Sequence, residues 1–125
     1  MMKKIATGIA LSMLVISTSA HADTWSVSER LVSGINYSSG TWNVAVQSDK
    51  LSGKADMQVD NGTMLHYTLD GSISGGVYTV KLVGRDDDKK NCIWSGKPAD
   101  GMGGKVIQGQ AECDGSKLYI RGGVQ

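Results

Sequence analysis

An antiparallel all-β domain is the fold class this sequence predicts, as a small up-and-down barrel of seven or eight short strands or, less favoured, a two-sheet β-sandwich. Three observations lead there. Short runs after residue 22 alternate apolar and polar side chains with period two, as half-buried strands do. Glycine, asparagine and aspartate cluster between those runs, where hairpins need turn residues. Cys92 and Cys113, the only cysteines, both fall on the apolar phase of their runs, so one disulfide can close the domain from inside.

The chain opens differently. Lys3 and Lys4 precede a mainly apolar stretch from Ile5 to Ile16, too short for the roughly 20 residues of a membrane-crossing helix. Ser17, Thr18 and Ser19 then lead to Ala20-His21-Ala22, the small-x-small spacing of a signal-peptidase site. The expectation is a cleavable signal peptide over 1–22 and a single domain over 23–125, working in the periplasm or after secretion. Neither cysteine lies near the cut, so no thiol is offered there for lipid attachment.

Within the domain, Trp25, Val27 and Leu31 alternate, which predicts a first strand over 24–33 in preference to a helical turn at 28–32. Trp42, Val44 and Val46 share a face of the next run, and Ala55, Met57 and Val59 a face of the third. Leu65, Tyr67 and Leu69 follow, then Tyr78, Val80 and Leu82 in a strand whose opposite side also carries Val77 and Val83, so that cover on part of both faces is expected. Cys92 with Trp94, then Ile107 to Cys113, then Leu118 with Ile120 complete the series. Asp60-Asn61-Gly62, Ser74-Gly75-Gly76 and Asp114-Gly115 read as hairpin turns, and Ser-Gly pairs at 33, 39, 52, 74 and 95 read as further turns. Their uneven spacing excludes a solenoid repeat. Lys97 to Gly104, with Pro98 and three glycines, is the longest expected loop. Because the hairpins are sequential, closure into a barrel is favoured: it removes exposed sheet edges.

A chain of this size allows one domain with a modest core, for which a crosslink is useful. Cys92 and Cys113 would close a loop worth about 3 kcal/mol in the chain-entropy account. Without Lys3 and Lys4, the 13 Lys and Arg become 11, against 12 Asp and Glu. That balance excludes an extended nucleic-acid surface. A membrane-spanning barrel is disfavoured too, since most runs are shorter than the 9–11 residues such strands need and one face of each is polar.

Catalytic chemistry finds little support. His66, the only histidine after the expected cut, lies in a strand without a nucleophile elbow nearby. Nothing sets any two of the carboxylates, Glu29 and Glu112 among them, at glycosidase spacing. Asp86, Asp87 and Asp88 lack the spaced ligands of a calcium loop. No catalytic residue, cofactor or metal is expected.

The expectation is therefore a non-enzymatic exported binding protein contacting a protein partner, in an inhibitor-like, envelope or host-interaction role. A small-ligand or sugar-binding barrel is the alternative, and a small secreted hydrolase a further one. The partner-contact candidates are Arg85, Asp86, Asp87, Asp88, Lys89 and Lys97, on loops flanking Cys92–Ser95. If the barrel instead keeps a cavity, Tyr67, Tyr78 and Trp94 would line it with Arg85 at the rim.

Overall fold

The computed structural model describes residues 21–124. Residues 1–20, which hold most of the expected signal peptide, and Gln125 lie outside the described residues. Eight strands follow one another: β1 (His21–Leu31), β2 (Asn36–Gln47), β3 (Lys50–Val59), β4 (Met64–Ser74), β5 (Val77–Val83), β6 (Cys92–Pro98), β7 (Val106–Cys113) and β8 (Ser116–Val124). Each pairs antiparallel with the next, and β8 returns to β1 through pairs from Leu31↔Leu118 to Trp25↔Val124. The sheet is therefore a closed up-and-down barrel, and the sandwich is set aside because no edge is left open.

Period-two alternation puts one face of every strand inside. Trp25, Val27, Trp42, Val44, Leu51, Ala55, Met57, Leu65, Tyr67, Leu69, Val80, Leu82, Trp94, Ile107, Ala111, Leu118 and Ile120 make one core. The register sets large against small: Trp42 pairs with Ala55, and Trp94 with Ala111, so each indole occupies space its neighbour leaves. The outward face of strand β5 is covered only at its start, where Val77 is half-buried, for Thr79 and Lys81 are exposed and Val83 is 48% exposed.

Three of the Ser-Gly pairs are not turns. Gly40, Gly53 and Gly96 lie within β2, β3 and β6. At Gly96 a Cβ would stand 2.4 Å from Trp94 Cζ2, so the missing side chain admits the indole. An unforeseen turn at 48–49 joins β2 to β3, with Ser48 at φ 60°. Cys92 and Cys113 are bonded, across neighbouring strands with Cα atoms 4.0 Å apart.

The barrel has two distinct ends. Residues 32–35, 60–63, 84–91 and 114–115 connect strands at the disulfide end, and 48–49, 75–76 and 99–105 at the other.

Candidate functional site

Inside the disulfide end lies a chain of polar side chains. Glu29 shares the inward phase of Trp25 and Val27 on β1 and is fully buried. Arg85 follows β5 after Gly84, whose φ of +69° breaks the strand's alternation; its side chain enters the barrel instead of solvent. Its Nη1 donates to Glu29 Oε2 at 2.9 Å and its Nη2 to Oε1 at 3.0 Å, a bidentate fork. Tyr67 Oη donates to Glu29 Oε2 at 2.5 Å and accepts from Trp42 Nε1 at 2.9 Å. On the other flank, Arg85 Nε and Nη2 donate to Asp87 at 3.1 and 2.8 Å, and Tyr37 Oη donates to Asp87 Oδ2 at 2.8 Å.

The electrostatics follow. Burial, then the charge and hydrogen bond of Glu29, push the Tyr67 hydroxyl well above its ordinary range. Burial and the Asp87 hydrogen bond push Tyr37 up to about 12. Burial alone would lower the Arg85 value, but its bonds to Asp87 and Glu29 outweigh that and raise it. Burial opposes ionisation of Asp87, yet Arg85 and Tyr37 together hold its carboxyl below the usual range. Two carboxylates thus hold one guanidinium, and the network forms a polar plug with half-buried Tyr37 and Asp87 on its outer side.

Above the plug the interior is filled with rings. Trp42 packs against Trp25, Tyr67 and Trp94 with centroids 5.9, 6.2 and 5.2 Å apart, and Tyr78 meets Trp25 and Trp94 at 5.8 and 6.4 Å. Trp94 Nε1 donates to Ile120 O at 3.2 Å. Of the cavity candidates, Tyr67 and Trp94 are buried in this packing, and Tyr78 is half-buried near the other end.

The loop candidates do not form one patch. Arg85 is inside, Asp87 is turned toward it, and Lys89 Nζ lies 4.8 Å from the Tyr37 ring centroid. Asp86 accepts from the His66 backbone at 2.9 Å and lies 3.1 Å from its Nδ1, while His66 Nε2 lies 3.3 Å from Asp56. Asp88 is exposed at the disulfide end. Lys97 is exposed near the opposite end, because β6 runs the length of the wall between the two loops. Among the described residues, no group of three or more His, Cys, Asp or Glu is placed to hold a metal.

Concavity is found instead on the outer wall, where β1, β8 and β7 meet. Ser28, Arg30, Gln108, Gly109, Tyr119, Ile120 and Arg121 line a groove of about 610 Å³. A second depression of about 430 Å³ shares Ser28 and Arg121 with it. The register builds the groove: Arg30 pairs with Tyr119, Ser28 with Arg121, and Gln108 with Arg121 from the other side. Arg121 Nη1 donates to Gln108 Oε1 at 3.3 Å. Sequence reading missed this site because its residues are scattered over three strands. The available signal was phase: Arg30, Tyr119 and Arg121 all stand opposite inward apolar neighbours.

No family model and no curated protein matches this sequence. Among solved structures, the chain is similar to a de novo designed fluorescence-activating β-barrel, with a TM-score of 0.61 and 15% identity over 82% of this chain and 91% of that one. The designed barrel is one described as fluorescence-activating, and the expectation of a protein partner gains no support from it. The withdrawal of Arg85 into the barrel, with Lys97 at the far end, divides the residues that were expected to form one contact surface. At this identity the likeness is one of fold: the chain is an eight-stranded closed antiparallel barrel, as the designed protein is a β-barrel.

Proposed function

We propose that this protein is a non-enzymatic β-barrel that binds a small molecule in the groove between Arg30, Tyr119 and Arg121. The carrying observation is where space exists. The interior is occupied by rings and closed by the Glu29–Arg85 plug, whereas the groove offers about 610 Å³ beside two guanidinium groups and an exposed phenol. Similarity in fold to a fluorescence-activating barrel supports a small-molecule role over a protein-contact one. The disulfide supports a working place in an oxidising compartment, periplasmic or extracellular, after cleavage before Asp23.

Titration of the ¹⁵N-labelled, disulfide-bonded protein with a panel of neutral, cationic and anionic aromatic and sugar fragments tests this. Saturable amide shifts at Ser28, Arg30, Gln108, Tyr119 and Arg121 are expected from at least one class. If no fragment moves these amides at millimolar concentration, the groove is not a ligand site. Intact mass of the exported protein, expected to begin at Asp23, tests the compartment.

A further inference from the structure

Resting on the groove as the ligand site, we infer that its ligand is a small organic anion bearing a flat ring, with the carboxylate or phosphate held between Arg30 and Arg121 and the ring laid on Tyr119. Three features of the groove converge on that chemistry.

The first is unspent positive charge. Ion pairs among the described residues engage His66 and Arg85, and neither Arg30 nor Arg121 has a carboxylate within reach. Arg121 donates to the neutral Gln108 oxygen, and among the described residues Arg30 makes no side-chain hydrogen bond. The two arginines are diagonal neighbours across β1 and β8, a relation that sets side chains about 7–8 Å apart. Like charges at that spacing without a counter-ion are mutually unfavourable, and an oxyanion between them relieves this while accepting two guanidinium forks. Arg85 shows the alternative in the same molecule, a guanidinium already satisfied by Glu29 and Asp87.

The second is the ring. Tyr119 is 51% exposed, pairs in register with Arg30, and among the described residues stacks on no other aromatic side chain. A flat apolar group laid on it would cover surface that now faces water. The third is the floor: Ser28 is small, so a planar ligand can approach the wall closely, and Gln108 stands at the edge as an amide partner.

Charge limits the size of the anion. The outward residues of β7 that pair with Tyr119 and Arg121 are the neutral Gln110 and Gln108, so the charged groups lining the groove are the two guanidiniums. Two arginines match one oxyanion group.

Phenyl phosphate, inorganic phosphate and benzyl alcohol, titrated separately into the ¹⁵N-labelled protein, separate the elements. Phenyl phosphate should bind saturably at the groove amides and at least tenfold more tightly than either of the others. Arg30→Gln and Arg121→Gln should each weaken it about tenfold with the melting temperature unchanged, both side chains being exposed. Tyr119→Ser should reduce phenyl phosphate to the level of inorganic phosphate. Should a variant fail to fold, the wild-type protein decides: raising salt from 0.01 to 0.5 M must weaken phenyl phosphate and leave benzyl alcohol unaffected. Equal or tighter binding of benzyl alcohol overturns the anion and leaves the ligand groove standing. Absence of groove shifts with phenyl phosphate overturns the anion as well, and absence with every fragment of the panel overturns the groove itself.

Discussion

Replacing Arg85 by methionine separates a structural plug from a contact surface. Methionine keeps a comparable unbranched stem and removes the guanidinium, stranding Glu29, whose side chain is 0% exposed, with Tyr67 as its remaining donor. Removing one partner of a buried pair costs about 3–5 kcal/mol, because the other charge stays in a low-dielectric site. Against a total of roughly 5–15 kcal/mol for a domain, that is a large fraction. It corresponds to a fall in melting temperature of at least about 12 °C for a domain near 100 residues. Urea unfolding at neutral pH, followed through the buried Trp42 and Trp94, measures it. The double variant Glu29→Leu/Arg85→Met should recover part of the loss, since it removes both charges while leaving Tyr67 and Asp87 short of a partner. A single variant within about 0.5 kcal/mol of the native protein would refute the buried network, since exposed surface changes have effects of that size.

Reduction of Cys92–Cys113, or its replacement by two alanines, should lower unfolding free energy by about 3 kcal/mol, read from the same urea titration with and without reductant. Tyr37, raised to about 12 from an ordinary 10.0, holds its proton more tightly when folded, so its contribution is complete below pH 10 and is lost as pH rises toward 12. Stability measured across that window should fall, and Tyr37→Phe should flatten the decline; an identical decline in the variant would place the alkaline sensitivity elsewhere, with Tyr67 the next candidate. Gly96→Ala should force the Trp94 ring aside and destabilise the barrel, since a Cβ would stand 2.4 Å from that ring. An unchanged fluorescence maximum and stability would show that the indole has room to spare.

Much of the fold was legible because a barrel repeats one local rule. In all eight strands the apolar phase read from the sequence is the phase that faces inward, and the inward phase of Cys92 and Cys113 agreed with the disulfide. The strands' lengths were not legible. Glycine signals both a turn, through positive φ, and a close approach within a strand, through its missing side chain. The pairs at Ser39-Gly40, Ser52-Gly53 and Ser95-Gly96 are of the second kind. Which meaning applies depends on what lies across the barrel, such as the Trp94 ring at Gly96, and a neighbour in space is not a neighbour in sequence.

The interior ion pair illustrates the same asymmetry within two residues. Glu29 was available to reading by phase, since Trp25, Val27 and Leu31 bracket it on one face of β1; its charge argued for the outside, and phase won because a partner waited within. Arg85 was not available, because Gly84 resets the alternation and turns a residue that follows an exposed Val83 and a loop glycine into the core. Once that pair is inside, it fixes where function can reside. A barrel that commits its centre to three indoles and its end to a buried charge network has no room for a ligand and no unpaired charge within, so recognition moves to the wall. There Arg30 and Arg121, unlike Arg85, meet no carboxylate among the described residues, and Arg121 spends a donor only on the neutral Gln108.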